Sequence, residues 1–168
     1  MGEQVEPPIP ESYVVAERLL AGEYPGAADP DAAERRLRAF AEGGVTTFVD
    51  LTHPADALAP YEHLLGRDAN RIPHAIVDLG TTTIPHMTRI LDDVDAAIER
   101  GGMAYVHCWG GIGRTGTVVG CWLMRHGLEG DDPIRRIVEL RRDVSDASAA
   151  SPQTSAQRAM VRTWKRGR

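Results

Sequence analysis

A chain of 168 residues is long enough to bury one good core without staples and short enough to form a single domain. Its formal net charge of −5 offers no electrostatic footprint for nucleic acid, its two cysteines give neither a disulfide framework nor a zinc spacing, and no apolar run approaches the length of a membrane span. The opening Met1-Gly-Glu-Gln-Val-Glu-Pro-Pro8 has no basic stretch followed by an apolar one, and Glu6 stands where a myristoylation motif wants Ser or Thr. A monomer in a reducing, cytoplasmic setting is the expectation.

Residues 1–11 are proline-rich and acidic and read as a loose arm, ahead of one domain over 12–166. From Ser12 to Tyr24 two short β-prone runs flank Glu17-Arg18, a hairpin signal. Asp29-Pro30-Asp31 opens a helix that Gly43-Gly44 stops, with Leu37, Phe40 and Ala41 as its inward stripe. Val45 to Leu51 is rich in β-branched residues and predicts a strand, so helix then strand begins an α/β alternation. Thr52 to Arg71 is polar and loop-like; His53, Tyr61 and His63 there are candidates to touch substrate, with surface or packing roles as the plainer reading.

Ile72 to Val77 predicts another strand, which delivers Asp78 to its C-terminal end, the edge at which open α/β sheets bind ligands. Pro85 to Arg100 has Met87, Ile90, Leu91, Val94 and Ile98 at helical spacing, and Gly101-Gly102 ends it. Ala104 to His107 then reads as a buried strand.

The loop after that strand carries the chemistry. Cys108-Trp-Gly-Gly-Ile-Gly-Arg114-Thr115 is a glycine-rich turn that opens the apolar helix of Thr117 to Met124. Successive backbone N–H groups in such a loop, together with a helix N-terminus, make an anion cradle. Gly110, Gly111 and Gly113 permit the backbone conformations it needs, Ile112 lies among them as a substrate-binding candidate, and Trp109 can either wall the pocket or turn away. Ringed donors, the helix dipole and the Arg114 guanidinium favour thiolate over thiol at Cys108. The planar Arg114 fork can take two phosphate oxygens at once. A thiolate beneath a bound phosphate is placed for in-line attack on phosphorus.

His107-Cys108, five residues, then Arg114-Thr115 resembles the signature of the cysteine-dependent tyrosine and dual-specificity phosphatases, and the loop is most similar to the small dual-specificity members, including the kinase-associated phosphatases. The resemblance implies a single-domain α/β fold with a central, mostly parallel sheet flanked by helices. It implies Cys108 as nucleophile, Arg114 as phosphate ligand, His107 as orienter of the loop, and Thr115 as hydroxyl donor to the departing thiolate. The family sets its general acid about thirty residues before the cysteine; Asp78 stands at that separation, although Thr81-Thr-Thr-Ile84 makes the following loop slightly long. The Ser151-Pro-Gln-Thr-x-x-Gln157 stretch resembles the end of the family's domain, which makes Gln157 a candidate to place the hydrolytic water. No metal or cofactor is called for, since backbone and Arg114 supply the positive field.

The remaining elements read as support. Val118, Val119, Trp122 and Leu123 form the buried face of the helix after the loop, and Cys121 is packing, with a redox partnership to Cys108 as the alternative. Asp132-Pro133 caps a helix over 134–142, residues 143–150 are a polar linker, and Ser151-Pro152 caps a last helix. The loop interior is uncharged, which favours a single phosphate on a protein side chain or an aryl ester. Two other classes stay open: a non-catalytic phosphoprotein-binding module, and a thiol-based sulfurtransferase or arsenate reductase.

Overall fold

The computed structural model describes residues 4–168. Five strands form one sheet: β1 (Ser12–Ala16), β2 (Leu19–Gly22), β3 (Thr47–Asp50), β4 (Asn70–Pro73) and β5 (Ala104–His107), in the order β1-β2-β5-β3-β4. The hairpin about Glu17-Arg18 is the antiparallel pair β1–β2, and all other pairings are parallel. The register aligns Gly22 with His107, His107 with Asp50, and Asp50 with Pro73. Four parallel strand ends therefore reach one edge together, and Cys108 is the first residue beyond it.

Alternation along each strand feeds two cores, as a sheet covered on both faces requires. Leu20, Phe48 and Tyr105 pack with Leu37 and Phe40 of α1 (Pro30–Glu42). Leu19, Val49 and Val106 face α2 (Ile84–Glu99) and α3 (Gly113–Arg125). Two further helices, α4 (Asp132–Leu140) and α5 (Ser155–Thr163), pack against α3. Among the described residues no helix is long and apolar enough to cross a membrane.

Several boundaries differ from the sequence reading. The expected arm lies in part outside the described residues, and its last part is pinned: Ile9 is buried and its carbonyl accepts from the Ser12 hydroxyl at 2.7 Å. The strand expected over 72–77 spans Asn70–Pro73, because beyond Pro73 the chain leaves the ladder and crosses the strand ends, with His74 N–H on Asp50 O and Ile76 N–H on Leu51 O. Helix α2 begins at Ile84, where Thr83 is the cap and the Thr82 hydroxyl lies 2.6 Å from His86 Nδ1. Helix α4 begins at Asp132 without a side-chain cap and ends at Leu140. Ser151 does not cap α5: its hydroxyl donates to Ile112 O at 2.6 Å, and Thr154 with Gln157 forms the capping box instead.

Candidate active site

The loop from β5 to α3 is held from below at several points. Tyr24 N–H donates to Trp109 O at 2.9 Å, and the Ser151 hydroxyl fixes Ile112. Gly111 adopts φ +74°, and a Cβ there would lie 2.4 Å from the Gly22 carbonyl carbon, so conformation and space both demand glycine. In this arrangement Gly111 N–H donates to Cys108 Sγ at 3.3 Å. No side chain caps α3, which leaves its first amides available to an anion.

His107 is fully buried, and its surroundings define its tautomer. Nδ1 lies 3.1 Å from Cys108 O, a carbonyl that can only accept, so Nδ1 carries the proton. Nε2 then accepts from the Tyr61 hydroxyl at 2.7 Å. Burial pushes the imidazole down to about 4, only partly offset by the nearby Asp50 carboxylate, so it is neutral at pH 7. Because the unfolded chain takes up a proton near pH 6.5 and the folded chain does not until about 4, stability is fully present above pH 6.5 and is lost as pH falls through this window. We expect His107 to contribute up to about 3 kcal/mol to that loss. Urea denaturation at pH 7 and pH 4.5 checks this: His107→Gln should flatten the dependence, and an unchanged slope in the variant would contradict the assignment.

Arg114 is buried at the head of α3. Its Nη1 donates to Asp56 Oδ2 at 2.7 Å and to Ile76 O at 2.9 Å, Nη2 lies 3.4 Å from Asp78 Oδ1, and Nε has no hydrogen-bond partner among the described residues. The two carboxylates differ. Asp56 is 6% exposed and its Oδ2 also accepts from His53 N–H at 3.0 Å, whereas Asp78 is 55% exposed. An arriving phosphate dianion would compete with the exposed partner and leave the buried one in place. Asp56 was missed in the sequence, where it sits in a polar stretch as one residue of a 3-10 turn (Pro54–Asp56).

Asp78 occupies a tight turn closed by Gly80 N–H on Val77 O, with Leu79 at φ +64°. That turn is clamped on both sides, by Arg114 on Ile76 O and by Gln157 Nε2 on Gly80 O at 3.1 Å. Gln157 is fully buried, and its Oε1 accepts from the N–H groups of Gln153 and Thr154, both at 3.0 Å. The amide that lines the pocket is Gln153, together with Asp78, Cys108, Trp109, Gly110 and Gly113, around about 220 Å³. The Thr115 hydroxyl faces Gly22 O at 3.5 Å rather than the cysteine. Tyr61 serves His107, His53 caps its own turn, and His63 is exposed. Cys121 is buried, and burial pushes its thiol up, as expected for packing.

Known proteins share this architecture. Two solved structures superpose over most of the chain: Tk-PTP in its active form, with TM-score 0.71 and 22% identity over 90% of this chain and 94% of that one, and kinase associated phosphatase carrying a cysteine-to-serine substitution at its catalytic site, with TM-score 0.71 and 18% identity over 85% and 83%. In sequence the chain is similar to "Putative tyrosine phosphatase 067L" of Invertebrate iridescent virus 3, 31% identical over 67% of this chain and 45% of that protein. The chain spans less than half the length of the curated relatives it matches. Residues 12–165 match the family described as "Swiss Army Knife protein, DSP-PTPase phosphatase domain", and the chain belongs to that family.

Proposed function

We propose that this chain is a metal-independent phosphomonoester hydrolase of phosphorylated protein side chains, phosphotyrosine foremost and phosphoserine and phosphothreonine besides, working through a phosphocysteine. The observation that carries the reading is that Cys108 and Asp78, thirty residues apart in sequence, line one small pocket at the N-terminus of α3, with the buried Arg114 bound to Asp78 and one guanidinium nitrogen free.

In the first step the Cys108 thiolate attacks phosphorus while Arg114 and the loop amides hold the non-bridging oxygens. The phosphorus–oxygen ester bond breaks, and Asp78 gives its proton to the leaving oxygen. Before that transfer the acid form of Asp78 is attracted less to Arg114, so the phosphate takes its place on the guanidinium. In the second step water attacks phosphorus, its proton passes to Asp78, and the phosphorus–sulfur bond breaks. Gln153 faces the pocket and is the amide that holds this water; Gln157 serves by fixing the turn that carries Asp78. Thr115 turns from Gly22 O toward the departing sulfur. Both described cysteines are free, which suits a reducing, cytoplasmic setting.

Hydrolysis of aryl phosphates in the presence of EDTA tests the proposal. Asp78→Asn should lower kcat about 10²–10⁴-fold on phenyl phosphate, whose leaving group needs a proton, and much less on para-nitrophenyl phosphate. Equal losses on both esters would remove Asp78 from the acid's role. Sulfur transfer from thiosulfate without any phosphatase activity would overturn the proposal as a whole.

A further inference from the structure

Trp109 is 54% exposed, with its carbonyl held by Tyr24 N–H, and it borders two cavities. One is the Cys108 pocket. The other, about 520 Å³, lies between the segment 26–32 leading into α1 and the turn at 57–59. Its walls are made small by Gly26, Ala28, Ala32 and Ala57, with Leu58 beside them. Two charged side chains reach it, and each is already engaged. Arg36 Nη2 donates to Glu23 Oε1 at 2.7 Å and to Tyr24 O at 2.9 Å, while Nε faces Pro25 O at 3.4 Å. Among the described residues the two charges of the cavity are paired with each other, which leaves its alanine, glycine and Leu58 wall for an uncharged, apolar group.

We propose that this cavity is a specificity subsite for an apolar side chain lying one to three residues from the phosphorylated residue of a substrate polypeptide. The inference rests on the phosphatase reading of the Cys108 pocket. Continuity argues for the occupant: with Trp109 as the shared partition, a chain advancing about 3.3–3.6 Å per residue carries a neighbouring side chain from one cavity to the other within a few residues. The backbone joins the two as well, since Tyr24, which lines the second cavity, donates its N–H to Trp109 O. Small walls make room for a large side chain, and apolar burial in a preformed cleft discriminates by contact area. A Leu or Phe flank should accordingly be selected over Ser or Asp.

Binding by calorimetry to the Cys108→Ser protein tests the subsite apart from catalysis. Phosphotyrosyl peptides with Leu or Phe at flanking positions should bind about tenfold tighter than Ser-flanked ones. Adding Ala28→Glu, at an exposed wall position, should erase that advantage while leaving the affinity for inorganic phosphate unchanged. Equal affinities in the parent, or an advantage that survives Ala28→Glu, would overturn the subsite. So would preference for a short-chain phosphatidylinositol phosphate over every peptide. Should wild type turn over no phosphoester while the peptide preference holds, the phosphatase reading fails and the subsite stands.

Discussion

Cys108→Ser should reduce turnover by about 10⁴-fold or more while leaving the fold and phosphate binding intact. A serine in the same position keeps the Gly111 N–H contact that the sulfur accepts at 3.3 Å. It is a poorer nucleophile, because a hydroxyl at neutral pH stays protonated unless a base removes its proton. No base is at hand. His107, the adjacent imidazole, spends Nδ1–H on Cys108 O and Nε2 on the Tyr61 hydroxyl. Freeing either nitrogen would leave a buried polar group unpaired. The loop's anion cradle is backbone and Arg114, neither of which the substitution touches, so inorganic phosphate should still bind. Steady-state kinetics beside phosphate titration would separate the two effects, and substantial activity in the serine variant would point to a different nucleophile.

Asp56→Ala should be the most damaging change outside the loop, costing about 3–5 kcal/mol of unfolding free energy and a large share of kcat/KM. Asp56 and Arg114 are both nearly inaccessible, and removal of one charge leaves the other buried without compensation. Arg114 would then hold only Ile76 O and the more distant, exposed Asp78, so its strongest remaining attraction is to the group proposed as general acid. Activity therefore falls twice, through a misaimed phosphate ligand and through a sequestered acid. Asp56→Asn keeps an oxygen that can accept from Nη1 and His53 N–H but not the charge, and should recover only part of the stability. Urea denaturation with parallel kinetics checks both; Asp56→Ala behaving as wild type would mean the pair is dispensable.

The Cys108 loop was legible because its motif is contiguous. A cysteine, glycines and an arginine at fixed spacing between a strand and a helix leave few alternatives, and the α/β alternation around them comes from local periodicity. Asp78 was singled out by its distance from Cys108, although the strand expected to end at it stops at Pro73, and it is the turn after Pro73 that brings it to the pocket. The supports were not legible, because each is a contact between distant segments. Asp56 meets Arg114 across 58 residues and Gln157 meets Gly80 across 77. Nothing in His53-Pro-Ala-Asp56 announces more than a capped turn. The motif around Gln153 and Gln157 names two amides, and only the fold reveals that Gln157 is turned inward to its own helix cap and the acid's turn while Gln153 faces the pocket. Thr154 out-competed Ser151 as the α5 cap for a related reason: the Ser151 hydroxyl is held by Ile112 O, a partner far away in sequence.

The central claim is that Cys108 carries the phosphoryl group between the two steps. Acid-quenching the enzyme within the first turnovers of para-nitrophenyl phosphate, with peptide mass spectrometry of the quenched protein, tests it most directly. A phosphoryl adduct confined to Cys108 and absent from Cys108→Ser is the predicted result. Burst release of nitrophenol with an unmodified Cys108, or an adduct on another residue, would contradict it.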